Sequence, residues 1–218
     1  MNRPVALALA LALVCTAACG SLFQSKAAPP TIYVLSAAAT PVAAPAGDSA
    51  PQAPIPLDLA ILKPRLPTGL ATDRIAVLYP DRRLDYFADA RWSGPAGDVL
   101  QDLAVQEFLH SRRHLRTVSG DASVFSSAYW LEIEVTDFQA EYTPASAAPT
   151  AHVHFLARIG ESGDRRILGR FEADARQAAA ENRLTAIVDA YARAASAALA
   201  EIAVQADEAL ANAPPARP

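Results

Sequence analysis

YWLEIEVTDF, residues 129–138, is the stretch that decides the fold. Tyr129, Leu131, Ile133 and Val135 fall on one side of an extended chain, while Trp130, Glu132, Glu134 and Thr136 fall on the other. Side chains alternate faces at every residue of a strand, so this is a strand with one buried and one wetted face. The pattern repeats after an Ala/Pro loop in Val153, Phe155, Ala157 and Ile159. A turn at ESGD, residues 161–164, leads into Ile167, Gly169, Phe171 and Ala173 as a third inner face. The outer faces complement one another: Glu132 and Glu134 on the first strand, Arg158 on the second, Arg166 and Arg170 on the third. Opposite charges on neighbouring strands support an antiparallel sheet with one solvated face.

Outward from this sheet, Leu57, Leu59 and Ile61 alternate, as do Ile75, Val77 and Tyr79, and a short strand is expected over Leu115 to Val118. Ser93 before Gly94 and Pro95 reads as a helix N-cap, opening an apolar stripe of Val99, Leu100, Leu103, Ala104 and Phe108 that ends near His110. Leu184, Ile187, Val188, Tyr191, Leu199 and Ile202 form one stripe of a second helix of about 28 residues. The resulting fold class is α+β: an antiparallel-rich mixed sheet with two amphipathic helices packed on one face.

The amino terminus carries a different message. Arg3, the apolar run Val5 to Val14, and Thr16-Ala17-Ala18 before Cys19 make a charged region, a short hydrophobic region and a small-residue cleavage site. The run is too short for a hydrocarbon core that needs about 20 apolar residues. A leader ending in small residues and cysteine resembles the lipobox of bacterial lipoproteins, with Thr16 where Leu is usual; an ordinary signal peptide cut nearby is the alternative. Cys15 is preceded by Leu13 and Val14, which are too bulky for the cleavage pocket. The expected organisation is a lipoprotein signal peptide at 1–18 and a lipid-anchored tether at 19–30. Beyond these lie an N-terminal strand at 31–36, an Ala/Pro-rich linker at 37–56, a domain at 57–210 and a tail at 211–218.

Processing before Cys19 removes Cys15, and acylation, palmitate included, consumes the Cys19 thiol, so thiolate chemistry and disulfides are excluded from the mature chain. Formal charge moves from −4 to −5 once Arg3 leaves, an acidic balance that argues against a nucleic-acid partner and against attraction to anionic headgroups. Membrane attachment then rests on acyl chains, at about 0.8 kcal/mol per buried CH₂.

Catalytic motifs are not legible. The sequence has no G-x-S-x-G, no P-loop and no G-x-G-x-x-G. His152 and His154 share one face of a strand at a ligand-compatible spacing, but no third ligand is placed by sequence, and a solvated pair is the reading adopted. His110 and His114 flank Arg112 and Arg113, which suits the negative end of a helix better than a cation. Glu132 and Glu134 read as a salt-bridge ladder, and Ser119, Asp121 and Ser123 as turn residues. No catalytic residue, cofactor or metal ligand is assigned.

The segment 72–109 is unusual for its aromatic residues beside arginine: Tyr86, Phe87, Arg91 and Trp92 join a strand to the first helix. Either Trp92 fills the core at the helix entry while Arg91 pairs with a nearby carboxylate, or Tyr86, Arg91 and Trp92 form a partner-contact surface.

In order and spacing, the lipobox at Cys19, Tyr33-Val34-Leu35, Asp73-Arg74-Ile75, Leu84-Asp85-Tyr86, Arg91-Trp92 and a C-terminal amphipathic helix resemble the ABC-type transport auxiliary lipoproteins. These are the small outer-membrane lipoproteins that accompany Mce-type lipid transport systems. The resemblance implies a small α/β sandwich and a non-enzymatic adaptor on the periplasmic face of the outer membrane, with a periplasmic Mce-domain protein as partner. Gly20 after the anchor agrees with outer-membrane sorting, and a homo-oligomer is compatible with an adaptor facing a ring. The competing reading is a periplasmic lipid- or small-molecule-binding lipoprotein whose sheet and helices enclose an apolar pocket.

Overall fold

Three long antiparallel strands carry the domain: β6 (Tyr129–Glu141), β7 (Thr150–Glu161) and β8 (Ile167–Ala178). In a computed structural model, residues 29–37, 57–111, 115–119, 127–164 and 166–213 are described. The signal peptide, nearly all of the tether, residues 38–56 of the linker, the turn residues Asp121 and Ser123, and His114 lie outside them. All described elements fall within the unit Thr31–Pro218; of the other unit, Met1–Pro30, only residues 29 and 30 are described.

Five shorter strands complete an eight-stranded sheet among the described residues: β1 (Thr31–Tyr33), β2 (Leu57–Ile61), β3 (Arg74–Leu78), β4 (Leu84–Trp92) and β5 (Leu115–Ser119). β6 is the hinge of the topology. Along one side it pairs antiparallel with β7, which pairs antiparallel with β8. Its other side is shared by two parallel strands, β2 near its start and β3 near its end. Between them Arg65 bridges Glu134, its amide donating to Ile133 and its carbonyl accepting from Val135. β5 extends the sheet beyond β2; β4 and then β1 extend it beyond β3.

Helix α1 (Ala96–Ser111) and helix α2 (Leu184–Ala211) complete the domain. α2 packs on β7, β8 and α1, and α1 packs on α2, β2 and β5, so both cover the same sheet face. The anticipated stripes are the buried ones: Val99, Leu100, Leu103, Ala104 and Phe108 on α1, and Ile187, Val188, Tyr191, Leu199 and Ile202 on α2. Alanine is both the strongest helix former and the smallest helical side chain. Twelve of the 28 residues of α2 are alanine, and Ala190, Ala195 and Ala206 are fully buried, letting the helix lie close to its neighbours. Ser93 sits outside α1: its amide donates to the Tyr33 carbonyl, while Pro95's carbonyl receives the first helical amides, from Asp98 and Val99.

The core has an aromatic centre. Trp92 of β4, Phe138 of β6 and Tyr191 of α2 meet with ring centroids 5.1–5.7 Å apart, two of the three pairs edge-on. Edge-to-face contact is the arrangement that the ring quadrupoles favour. The Tyr191 hydroxyl donates to the Ala76 carbonyl at 2.5 Å, pinning α2 to β3. Burial pushes this phenol's ionisation far above the ordinary range, so it remains a donor.

Two strand irregularities set which side chains reach the surface. β6 carries a bulge between Val135 and Asp137, which swaps the parity of the strand. Before the bulge the odd residues are buried; after it Phe138 and Ala140 are, and Asp137 and Glu141 turn to the helix-free face. β4 has a register shift against β3, and Asp89 takes the left-handed conformation at φ 53°. That conformation is uncommon for residues with a side chain, although Asp and Asn tolerate it best. On the outer face, Gly160 lies opposite Trp130, and a Cβ there would fall 2.3 Å from the indole.

Candidate functional site

Two surfaces carry the chemistry of the domain. The first surrounds the expected contact residues Tyr86, Arg91 and Trp92. Trp92 is 2% exposed and belongs to the core, so its ring offers nothing to a partner; the helix-entry plug is what it forms. The twist at Asp89 directs Ala90 and Trp92 inward and leaves Arg91 outside. Arg91 pairs with both carboxylate oxygens of Asp73 at 2.8 Å, and the Trp92 amide donates to the Asp73 carbonyl at 2.7 Å. The guanidinium beside it, through its hydrogen bond, holds the Asp73 carboxyl below its ordinary value of 3.8. The Arg74 guanidinium lies 3.9 Å from the centre of the Tyr86 ring, whose hydroxyl donates to the Gly69 carbonyl. Asp73, Arg74, Tyr86, Arg91 and Trp92, scattered in the chain, therefore form one knot that closes the β3–β4 pair.

The outward half of this knot is continuous with β1. Ile32 lies opposite Arg91, and Arg91 opposite Arg74, so the three share a face across β1, β4 and β3. Ile32 and Val34 are 54% and 67% exposed, whereas Leu35 turns into the core. Arginine and tyrosine are enriched at interfaces, and the exposed aliphatics add apolar area beside them. Alternation in Thr31-Ile-Tyr-Val-Leu35 was the available signal for this pair of aliphatics, but a short strand with no known neighbour does not reveal which face stays uncovered.

Asp73 gives a testable pH dependence. A carboxyl depressed in the folded state contributes stability above its unfolded pKa, and that contribution is lost as pH falls through the folded value. In Arg91→Ala the Asp73 carboxyl should move up toward 3.8. A carbon-detected NMR titration reads the shift directly. An Asp73 pKa equal in both proteins would refute the pairing.

The second surface is the helix-free face of β6, β7 and β8. Glu132 joins Arg158 at 2.6 Å, as the alternation implies, and also takes Arg65. Arg166 pairs instead with Glu161 at 2.8 Å, and Arg170 stands directly across from Arg158. A hollow of about 390 Å³ opens here, lined among others by Arg65, Glu132, Leu156, Arg158, Arg170 and Phe171. Its lining mixes charged side chains with Leu156, Ala157 and Phe171.

Farther along this face the two histidines acquire neighbours that the sequence did not place. His152 is buried, its Nδ1 lying 2.7 Å from Glu141 and 3.8 Å from Asp137, and its Nε2 3.2 Å from Asp174. His154 lies 3.6 Å from Asp137 through Nδ1 and 3.0 Å from Glu172 through Nε2. The Gln139 amide donates to Asp137 and Glu141, and Arg176 donates to Glu141 and reaches His152 Nε2. Burial raises the carboxyls of Asp137 and Glu141, but the donors around them outweigh it and both titrate below the ordinary range. The solvated pair expected at His152 and His154 is thus corrected for His152, because the bulge in β6 gathers acids around it.

The described residues form a small α+β domain with a polar sheet face and an exposed patch of aliphatics beside arginine. The family model described as ABC-type transport auxiliary lipoprotein component matches residues 33–203, and the chain belongs to that family. The crystal structure of protein XCC0632 from Xanthomonas campestris superimposes with a TM-score of 0.70 at 24% identity, over 83% of this chain and 97% of that one. The crystal structure of an uncharacterized protein gives a TM-score of 0.63 at 13% identity, over 82% and 99%. Likeness at these identities concerns the fold. No curated protein matches the chain significantly.

Proposed function

We propose that this protein is a non-enzymatic adaptor of an Mce-type phospholipid transport system. It is anchored by acylated Cys19 to the periplasmic face of the outer membrane and docks the periplasmic substrate-conducting assembly. The family match over residues 33–203 carries this reading, since the family comprises auxiliary lipoprotein components of ABC-type transport. The short leader ending at Cys19, with Gly20 next to it, supports the anchor and its destination. The docking patch is Ile32, Val34, Arg74, Tyr86 and Arg91, in which the exposed aliphatics take the place first expected of Trp92. Anchoring makes the second contact intramolecular, so a modest interface holds through raised effective concentration.

Photo-crosslinking in cells tests the proposal. A photoreactive residue at position 32 or 34 should capture a periplasmic Mce-domain protein, whereas one at exposed Glu201 on α2 should not. Absence of any Mce-domain adduct from positions 32 and 34, with the protein correctly localised, would overturn it.

A further inference from the structure

We propose that His152, Asp137 and Glu141, with His154 beside them, form a binding site for a divalent transition-metal ion of the zinc class on the helix-free face. The three donor atoms of His152, Asp137 and Glu141 lie within 4.8 Å of one another. Ligands at bond lengths of about 2.0–2.2 Å around a tetrahedral ion stand roughly 3.3 Å apart. The observed separations from His152 Nδ1, 2.7 Å to Glu141 and 3.8 Å to Asp137, bracket that value. Small side-chain adjustments therefore suffice.

Each imidazole has carboxylates at both of its nitrogens: Glu141 and Asp174 for His152, Asp137 and Glu172 for His154. A neutral imidazole carries one N–H, so it donates to one acid and turns a lone pair toward the other. For His154, donation from Nε2 to Glu172 leaves the Nδ1 lone pair facing Asp137. For His152, Arg176 donates to Nε2 and Nδ1 faces Glu141 at 2.7 Å as a donor, so an ion at Nδ1 requires the proton to move to Nε2, where Asp174 at 3.2 Å accepts it. A carboxylate on the far nitrogen of a histidine is the arrangement that fixes ring orientation and raises basicity in metal sites. The local charge is also unbalanced. Asp137, Glu141, Glu172 and Asp174 surround the two rings with Arg176 as the cation among the described residues in contact with them. A divalent ion bound at Nδ1 offsets that excess; the Gln139 amide, now shared by Asp137 and Glu141, would swing aside. Mixed imidazole and carboxylate donors suit zinc better than calcium or magnesium, which prefer oxygen alone.

Isothermal titration of the chelator-treated, detergent-solubilised lipoprotein with Zn²⁺, and absorption spectroscopy with Co²⁺, test the site. The expected result is one equivalent bound, with cobalt ligand-field bands of a four- or five-coordinate site. Asp137→Asn and His152→Gln should each weaken binding at least tenfold. Asp174→Asn, which leaves the proposed ligands in place, should weaken it about tenfold through ring orientation. Glu134→Gln, on the same face outside the cluster, should bind as the parent does, and circular dichroism verifies that each variant folds. Failure to bind either ion stoichiometrically would overturn the proposal. Binding that is indifferent to Asp137→Asn and His152→Gln in folded protein would do the same. The adaptor reading is unaffected by either result, because its crosslinks come from the opposite end of the sheet order, at β1.

Discussion

Trp92→Ala should lower the stability of the domain by about 3–5 kcal/mol, the range for removing a large aromatic from a packed core. The indole is 2% exposed and contacts Phe138 and Tyr191, so its loss opens a void where β4, β6 and α2 converge. Nothing on the surface can relax into that void easily, since Tyr191 is held by its bond to Ala76. For a domain of this size the melting temperature should fall by on the order of 10 °C. Arg91→Ala removes a half-exposed ion pair beside it and should cost below about 1 kcal/mol. Urea denaturation of both variants separates the two contributions. A Trp92→Ala loss no larger than that of Arg91→Ala would show that the indole is not a core residue, and would restore it as a contact candidate.

Cys19→Ala, expressed behind a leader that ordinary signal peptidase cleaves, should move the protein entirely from the membrane fraction to the soluble periplasm. Among the described residues no helix is long and apolar enough to cross a membrane; acylation of Cys19 is the attachment proposed. Two or three acyl chains, at about 0.8 kcal/mol per buried CH₂, bind effectively without dissociation, so the partition is all or none. The released variant should also lose the crosslinks from positions 32 and 34, because the advantage of tethering disappears. Mass analysis of the parent should find Cys19 as the acylated amino terminus. An unmodified amino terminus, or a variant that still sediments with membranes, would refute the anchor.

Periodic elements were legible because their signal is local. The alternation in 129–135, 153–159 and around 171–173 and the stripes of the two helices need only neighbouring residues to be read. β4 escaped detection for an equally local reason. The left-handed Asp89 and the register shift break its alternation, and LDYFADARW reads as a connection although it is a nine-residue strand. β6 was read to Phe138 and runs to Glu141, since beyond the bulge its parity no longer matches the first half.

The amino-acid sequence by itself determined the fold class, the inner faces of β7 and of β6 up to its bulge, and the membership signature, because burial patterns and motif order are written in one dimension; Ile167, expected inward at the start of β8, is exposed. Tertiary structure alone decided which signature residues touch. Arg91 reaches Asp73 and Arg74 covers Tyr86 across a strand pair, and Trp92 goes inside. It alone decided, too, that one extra residue in β6 would turn Asp137 and Glu141 toward His152. Side-chain chemistry depends on distances of a few ångströms between residues far apart in the chain, and strand register sets those distances.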